Sequence, residues 1–348
     1  MRAHAIRLRA IAGGLFAGFL GLALAGGAVR ADAVADFYKG KTVKIIVGFG
    51  VGGGYDIYGR LAAEHLGRFI PGNPAVIVEN MPGGGGVRAA AFLHGVAPKD
   101  GTVLTVIVQS IAFDSVLGEL PGKIDASTYN FIGRLTSNVE TQFTWHTSPT
   151  KTLDDAKRNA VIVGATGASS PSTIVPRMLN DAIGTKFKIV QGYPGTAEVS
   201  LAMERGEVEG IMQSLESVQT ARPDWLRDKK VNPIWQLALK RHPSLPHTPA
   251  VGELGDTPEE QSMLKLIAGT AEIGRSLAAP PGVPAERLAA LRKAFQEMVA
   301  DAQFQATAKT RNAALDPASG EALQEQVAAA MATPKPVVER TRAIVTAK

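Results

Sequence analysis

The feature that most constrains the fold is a regular alternation of short β-branched runs with segments of helical periodicity. Residues 43–47 form such a run, and a glycine-rich loop and a helical pattern over residues 57–69 follow it. The same order recurs after the runs at 75–78 and 103–108. Strands separated by helices pair in parallel through crossover connections, so this order predicts βαβ units and an α/β fold.

A second series of the same kind begins after Phe131. We predict strands at 142–145, 161–163, 187–190, 210–212 and 234–239, helices at 173–183 and 197–204, and a helical chain from 280 onward that packs on the first lobe. This pattern indicates two α/β lobes with a ligand cleft between them, because ligands bind beyond the carboxyl ends of the strands in such sheets. The predicted divisions are 34–136 for lobe 1, 137–243 for lobe 2, and 244–348 for the return to lobe 1 with the C-terminal helices.

The first thirty residues have the layout of a secretory signal peptide. Three arginines lie within the first nine residues, and residues 11–29 are apolar or small, with small residues for cleavage at 29–31 or 31–33. The apolar stretch approaches the length of a membrane-spanning helix, but six of its nineteen residues are glycine, which weakens a permanent helix. We therefore predict a cleaved signal over residues 1–33 and an exported protein.

Charge and composition exclude several classes of partner and site. The formal net charge of the whole chain is +5, but residues 1–31 hold four arginines and no acidic residue. The rest of the chain carries 33 basic and 32 acidic side chains without a block of like charge, so nucleic acid is not an expected partner. The lack of cysteine excludes disulfides, thiol catalysis, thiolate metal sites and a lipid-modified cysteine.

The strongest local signal is the loop 48–56, which joins the first predicted strand to the first predicted helix. It ends in a run of candidate ligand-binding residues: Gly52, Gly53, Gly54, Tyr55 and Asp56. Glycine lets the backbone approach a ligand closely, and a helix N-terminus offers unpaired N–H groups to an anion. Asp56 can instead cap the helix or pair with Arg60, four residues later. Three consecutive glycines exceed what a simple turn requires, so we predict a binding loop.

The same loop carries the dinucleotide spacing Gly48-x-Gly50-x-x-Gly53, and Glu79 ends the next strand where a ribose-binding acid would lie. A nucleotide-binding oxidoreductase is therefore one alternative function. We rank it below solute binding because the motif alone is weak evidence and an exported protein meets little free nucleotide.

A loop in the second predicted lobe offers hydroxyl groups to the same cleft. It joins the predicted strand 161–163 to a helix, where Ser and Thr also serve as ordinary caps. Because it would face the first glycine loop across the cleft, we predict that it binds an oxygen anion. Its candidate residues are Thr166, Gly167, Ala168, Ser169, Ser170 and Thr173. Weaker candidates follow other predicted strands: Gln109, Ser110, Tyr193, Gly195, Thr196, Gln213 and Ser214.

No residue pattern predicts a catalytic site, a metal site or a cofactor. The histidines lie far apart in the sequence without the H-E-x-x-H spacing of a metal site, and there is no G-x-S-x-G nucleophile elbow. A Ser-based site assembled from distant residues stays open, which leaves a secreted hydrolase as a second alternative. The pattern favours a binding protein that makes and breaks no bonds.

Several segments resemble the substrate receptors of tripartite tricarboxylate transporters, also called Bug proteins. The resemblance covers nearly the whole chain after the signal, in order and at suitable spacing. It rests on the strand 43–47, the loop 52–56 with Arg60, Val78-Glu79-Asn80-x-Pro82 with the glycines 83–86, and the segments 97–102, 245–255 and 279–286.

This resemblance implies a two-lobed periplasmic-binding-protein fold of type II, the Venus-flytrap architecture, with hinge strands. It implies a periplasmic receptor that binds a small carboxylate through backbone groups and delivers it to two membrane transporter subunits, and we expect such a receptor to be a monomer. The two anchoring loops of the family map onto 52–56 and 166–173.

The sequence departs from the family pattern in both loops. Phe49-Gly50-Val51 replaces a proline-rich start, and Tyr55 replaces a small hydroxyl residue before Asp56. Tyr55 is expected to narrow the pocket or to stack on an aromatic ligand. The second loop has Thr173 near the place of a frequent histidine, so the identity of the carboxylate stays open.

Overall fold

Eleven strands are present in the computed structural model, which describes residues 33–167, 170–193 and 195–346. The predicted signal peptide and its cleavage sites therefore fall outside the described residues, apart from residue 33. The strands are β1 Thr42–Val47, β2 Ala75–Asn80, β3 Val103–Ile107, β4 Asn130–Arg134, β5 Glu140–Trp145, β6 Val161–Gly164, β7 Phe187–Val190, β8 Gly210–Ser214, β9 Val231–Leu237, β10 Ser276–Ala279 and β11 Ala318–Ser319.

Helices connect and cover these strands. The first, α1, covers residues 33–38. The others are α2 Gly54–Leu66, α3 Val87–Gly95, α4 Ile111–Val116, α5 Leu153–Arg158, α6 Pro171–Ile183, α7 Thr196–Glu204, α8 Leu215–Ala221, α9 Pro223–Arg227, α10 Pro258–Ala268, α11 Thr270–Ile273, α12 Ala285–Ala300, α13 Ala302–Thr310, α14 Gly320–Met331 and α15 Lys335–Thr346. In the part of the chain that the structure describes, no helix combines the length and apolar character needed to cross a bilayer.

The strands form two separate sheets, one for each lobe. The first sheet has the order β11-β4-β10-β3-β1-β2 and the second has the order β7-β6-β8-β5-β9. β1 is parallel to β2 and β3, but β10 runs antiparallel to β3 and β4. β6 is parallel to β7 and β8, and β5 runs antiparallel to β8 and β9. The predicted parallel βαβ units are thus present in both sheets, and antiparallel pairs occur at β5 and β10, beside the crossings between the lobes.

The continuous apolar strands are buried on both faces, as expected for α/β sheets covered by helices. In β1, Val43, Ile45 and Val47 contribute to one hydrophobic cluster and Ile46 to another on the opposite face. The helical periodicity of α2 also reflects burial. Its buried residues include Tyr58, Leu61, Ala62 and Leu66, which form one stripe along the helix. Because this stripe packs against the first sheet, the start of α2 lies at the carboxyl end of β1.

Two crossings between the lobes lie side by side. The chain leaves the first sheet at 135–139 and returns after β9, with 274–275 leading into β10. The backbone N–H of Leu135 donates to the carbonyl of Arg275 at 3.0 Å, and the N–H of Arg275 donates to the carbonyl of Thr136 at 2.9 Å. These paired segments form the hinge of a two-lobed periplasmic-binding-protein fold, in agreement with the predicted fold class.

The C-terminal helices divide between the lobes. α12 and α14 pack on β4 of the first sheet, whereas α10 and α15 pack on α6 of the second lobe. Arg340 of α15 forms ion pairs with Asp181 and Glu259, at 2.6 and 3.3 Å. We propose a division at 136/137, as predicted, and a second division at 274–275 instead of 243/244, because α10 and α15 pack on α6 of the second lobe. Residues 332–334 then form a third crossing.

Candidate ligand-binding site

The first glycine loop is held by the carboxylate of Asp56, which bonds the residue before the N-cap Gly53 and does not cap its own helix. Its Oδ2 accepts hydrogen bonds from the N–H of Gly52 at 2.9 Å and from Nε of Arg60 at 2.8 Å, and its Oδ1 accepts from Nδ2 of Asn80 at 2.9 Å. Burial alone would raise the pKa of Asp56, but the bonds from Arg60, Gly52 and Asn80 outweigh it and lower the pKa to about 2. The carboxylate is therefore ionised, and the donors on Gly52, Arg60 and Asn80 already balance its negative charge.

The N-terminus of α2 is left open by this arrangement. Its N-cap residue is Gly53, and no side chain caps the helix. Asp56 and Arg60 form the i, i+4 pair that the sequence allowed, so the N–H groups of the first turn stay available for an anion. Gly52 has φ of +87°, the left-handed conformation that glycine adopts at little cost.

Tyr55 is packed between two neighbours. Its ring stacks on Phe49 with centroids 4.1 Å apart, and the guanidinium carbon of Arg275 lies 4.0 Å from the ring centre. Two flat groups so close to one ring cannot share a face without overlapping, so they cover opposite faces. The Tyr55 hydroxyl accepts a hydrogen bond from the N–H of Gln109 at 3.0 Å. This leaves no free face for the predicted stacking on an aromatic ligand.

A polar cluster at the hinge joins the two lobes. We call it the hinge cluster and define it as Gln109, Asn138, Glu140 and Arg275. Oε1 of Gln109 accepts from Nδ2 of Asn138 at 2.6 Å and from Nη1 of Arg275 at 3.3 Å. Asn138 also accepts from Nη2 of Arg275 at 3.3 Å and donates to Oε1 of Glu140 at 3.2 Å. Gln109, a predicted ligand residue, is thus buried in the hinge.

A cavity of about 150 Å³ lies in the second lobe where β6, α6 and α7 begin or end. Its lining residues are Glu140, Gly164, Thr166, Ser170, Pro171, Ser172, Thr196, Val199, Ile211 and Met212. Three predicted ligand residues, Thr166, Ser170 and Thr196, therefore meet at one place. α6 and α7 both begin here without a side-chain cap, so two helix N-termini border the cavity.

The second-lobe loop is shaped by its own hydroxyl groups. The carbonyl of Gly167 accepts from Oγ of Ser170 and from Oγ1 of Thr173, both at 2.7 Å. Ser170 also shares a hydrogen bond of 2.8 Å with the Ser172 hydroxyl. Thr173 is fully buried, so its hydroxyl supports the loop from behind. Ala168 and Ser169, predicted as ligand residues, lie outside the described residues.

The remaining predicted residues do not line the second-lobe cavity. The Ser110 hydroxyl donates to Oδ2 of Asp114 at 2.6 Å, and Ser214 caps α8. Tyr193 packs at the edge of the second-lobe core, and Gly195 is the N-cap residue of α7. Oε1 of Gln213 is buried and has no hydrogen-bond partner among the described residues.

Two larger cavities of the described chain are lined by none of the predicted residues, and one of them, of about 430 Å³, lies beside Glu64, Arg68 and Asn73. The other, of about 330 Å³, lies between α4, α10 and α14 and is mostly apolar. Among the described residues, no group of three or more His, Asp or Glu side chains is arranged to hold a metal ion. The Ser170 hydroxyl bonds to the carbonyl of Gly167 and to the Ser172 hydroxyl rather than to a histidine. Glu79 pairs with Lys44 at 3.0 Å at the surface.

Four residues with polar or charged side chains in this region were not predicted from the sequence: Asn138, Glu140, Ser172 and Arg275. Ser172 lies within the predicted loop range and could have been included for its hydroxyl. The other three come from chain segments separated by up to 137 residues, as in the contact between Asn138 and Arg275, and no local pattern brings them together.

Comparison with known families identifies the chain. The family described as the tripartite tricarboxylate transporter family receptor matches residues 60–342. The chain belongs to this family. The resemblance inferred from the sequence is thereby confirmed, and the tripartite tricarboxylate transporter receptors are periplasmic substrate receptors.

Relatives of this receptor are distant in sequence. The UPF0065 protein in the gbd 5' region of Cupriavidus necator is 27% identical over 257 residues, which cover 72% of this chain and 74% of the relative. A UPF0065 protein of Bordetella bronchiseptica is 22% identical over 283 residues, which cover 77% of this chain and 76% of the relative.

Solved structures share the fold of this receptor. A TctC solute binding protein from Polaromonas is 22% identical with a TM-score of 0.67, over 87% of this chain and 99% of that chain. The periplasmic binding protein BugD is 22% identical with a TM-score of 0.59, over 88% and 98%. MatC from Rhodopseudomonas palustris, solved with bound malate, is 22% identical with a TM-score of 0.58, over 88% and 99%. At this identity the likeness supports the two-lobed fold.

Proposed function

We propose that this receptor binds a small carboxylate between the first-lobe loop 52–56 and the second-lobe cavity and delivers it to two membrane subunits of a tripartite transporter. The proposal places the protein in the periplasm as a monomer after removal of residues 1–33. It assigns no catalytic role to the chain. MatC with malate and the adipate complex of another Rhodopseudomonas palustris protein provide precedents for carboxylates in this fold.

The observation that carries the proposal is the set of uncapped helices around the cleft. α2, α6 and α7 start at the carboxyl ends of β1, β6 and β7, and none has a side-chain cap. Side-chain caps are also missing at α3, α4, α9, α11 and α12, so what sets α6 and α7 apart is that both begin beside the second-lobe cavity. Free N–H groups and the helix dipole both favour an anion, so a carboxylate is the ligand that suits these three ends together.

A thermal-shift screen of the purified protein against mono-, di- and tricarboxylates and nucleotides tests the proposal. A ligand at 100 times its dissociation constant stabilises the folded state by about 2.7 kcal/mol. We expect a carboxylate to raise the melting temperature without being converted. Nucleotide binding alone, or turnover of the carboxylate, would contradict the proposal.

A matched pair of variants locates the binding site. Thr196→Val removes a hydroxyl at the mouth of the cavity, whereas Thr310→Val removes an exposed hydroxyl at the end of α13. We expect only Thr196→Val to reduce the carboxylate-induced shift. Equal shifts in both variants would place the ligand elsewhere.

A further inference from the structure

A side-chain hydrogen bond joins the two lobes away from the proposed ligand contacts. The Tyr58 hydroxyl of α2 lies 2.8 Å from Oε1 of Glu216 in α8. α2 covers the first sheet, whereas α8 follows β8 of the second sheet, so the bond crosses from one lobe to the other. Neither residue lines the second-lobe cavity or belongs to the loop 52–56.

Both partners lie on the cleft side of their lobes. α2 starts at the carboxyl end of β1, and α8 starts at the carboxyl end of β8. β1 is parallel to β2 and β3, and β8 is parallel to β6, so these ends lie at the sheet edges beyond which ligands bind. A rotation that opens the cleft therefore moves Glu216 away from Tyr58.

The bond also lies close to the hinge. The backbone N–H of Leu215, the residue before Glu216, donates to the carbonyl of Val139 in the first crossing at 2.9 Å. A hydrogen bond is lost once donor and acceptor are more than about 3.5 Å apart. The bond from Tyr58 to Glu216 thus depends on the angle between the lobes.

The bond can break without leaving a buried polar group unpaired. The Tyr58 hydroxyl is buried, and it also lies 2.7 Å from the carbonyl oxygen of Ala314 in the first lobe. A hydroxyl has one proton to donate, so when Glu216 moves away that proton still has the carbonyl of Ala314 as its acceptor. Glu216 is only partly buried, so water can solvate its carboxylate after the bond breaks.

The Tyr58 hydroxyl keeps its proton in this position. Burial raises the pKa of Tyr58, and the charge of Glu216 and the hydrogen bond to it raise that pKa further. The hydroxyl is therefore a donor to a charged acceptor, which makes a stronger hydrogen bond than one between neutral groups. Such a bond favours the lobe arrangement in which it forms.

We propose that Glu216 is a latch for the closed receptor, which accepts the Tyr58 hydroxyl when the lobes close and releases it when they open. Glu216 is a positioning residue, because it acts on the ligand through the angle between the lobes. Its effect on ligand affinity rests on the proposed function, since a ligand held between two lobes binds more tightly when the closed state is more populated.

Two variants remove the bond from opposite sides. Glu216→Ala removes the acceptor, and Tyr58→Phe removes the hydroxyl but keeps the buried ring. By small-angle X-ray scattering of the ligand-free protein, we expect a larger radius of gyration for both variants than for the unaltered protein. Glu207→Ala is the matched control, because Glu207 is an exposed acid of the same lobe, and it should leave the radius unchanged.

Calorimetric titration with malate and with adipate measures the effect of the latch on affinity. For each of these acids that binds the unaltered protein, we expect about tenfold weaker binding in Glu216→Ala and in Tyr58→Phe, which corresponds to about 1.4 kcal/mol. The double variant should lose no more than either single variant, because both changes remove the same bond.

Scattering and titration separate this inference from the proposed function. Radii of gyration equal to that of Glu207→Ala in both variants, or affinity losses that add in the double variant, overturn the latch and leave the proposed function intact. If no carboxylate of the thermal-shift screen binds, the proposed function fails, and the radii of gyration still decide the latch. Should Tyr58→Phe fail to fold, the comparison of Glu216→Ala with Glu207→Ala decides it.

Discussion

The two loops that face the proposed ligand are built on different physical principles. The first-lobe loop is fixed by an ionised group, because Asp56 gathers Gly52, Arg60 and Asn80 around one buried carboxylate. The second-lobe loop is fixed by neutral hydroxyls of Ser170 and Thr173 that converge on one carbonyl. Loops in similar positions can therefore differ in their sensitivity to pH. Protonation of Asp56 should destabilise the first loop, whereas the second loop, held by neutral groups, should be unaffected by the same change in pH.

Removal of the central carboxylate should have the largest effect. Asp56→Ala removes a buried acceptor of three hydrogen bonds, from Gly52, Arg60 and Asn80. We expect a loss of about 2–3 kcal/mol in the free energy of unfolding, measured with urea. Asp155→Ala is the matched control, since Asp155 also accepts several bonds but lies at the surface at the start of α5. Its expected loss is about 1 kcal/mol, and equal losses would contradict the distinction.

Lowering the pH should destabilise the first loop more than the second loop. The folded pKa of Asp56 is about 2 against an ordinary 3.8, so its stabilisation is complete above pH 5 and is lost as the pH falls through 3.8 towards 2. The difference corresponds to about 2 kcal/mol. Urea unfolding at several pH values should show this loss in the unaltered protein and a smaller one in Asp56→Ala. Identical pH profiles would exclude Asp56 as the acid-sensitive group.

Substitutions at two adjacent glycines should test whether the space beside Arg275 is needed for carboxylate binding. Gly54→Ala places a Cβ atom 3.3 Å from Nη2 of Arg275, whereas a Cβ on Gly53 meets only the carbonyl oxygen of Gly50 at 3.9 Å. Gly53 has φ of −78°, which alanine adopts freely. We expect Gly54→Ala to weaken carboxylate binding about tenfold, or about 1.4 kcal/mol, and Gly53→Ala to weaken it much less. Calorimetric titration measures both affinities, and a larger loss in Gly53→Ala than in Gly54→Ala would contradict this expectation.

The smallest effect is expected in the second loop. Thr173→Val removes one hydroxyl from the carbonyl of Gly167, which still accepts a bond from Ser170. We therefore expect a loss of about 0.5–1 kcal/mol in the free energy of unfolding, independent of pH. A loss as large as that of Asp56→Ala would show that hydroxyls hold a loop as firmly as a carboxylate.

Local features of the chain were predicted from the sequence with good accuracy. The helix after the first glycine loop was expected at 57–69 and lies at Gly54–Leu66, and the strand expected at 187–190 is β7. Such elements depend on patterns a few residues long, namely β-branched runs, glycine loops and a stripe of apolar residues. The family resemblance used the same local segments, which explains why it also succeeded.

Features that depend on distant contacts were not predicted. β10 consists of Ser276–Ala279, a run of small residues without strong β propensity, and it becomes a strand because it lies buried between β3 and β4. Arg275 gains its importance only where Gln109 and Asn138, 166 and 137 residues away, meet it at the hinge. The helix α15 falls within the helical chain predicted from residue 280 onward, but that chain was expected to pack on the first lobe. The attachment of α15 to the second lobe depends on distant partners such as Asp181.

The third crossing of the chain has a mechanical consequence. Two neighbouring tethers still allow one lobe to swing about the line that joins them, but a tether off that line limits the swing. Here the tether is the segment 332–334 between α14 and α15, and three residues of fully extended chain span at most about 10 Å. Arg342 of α15 also reaches back to the carbonyl of Leu117 in the first lobe. We therefore expect the length of this tether to limit how far the two lobes can move apart.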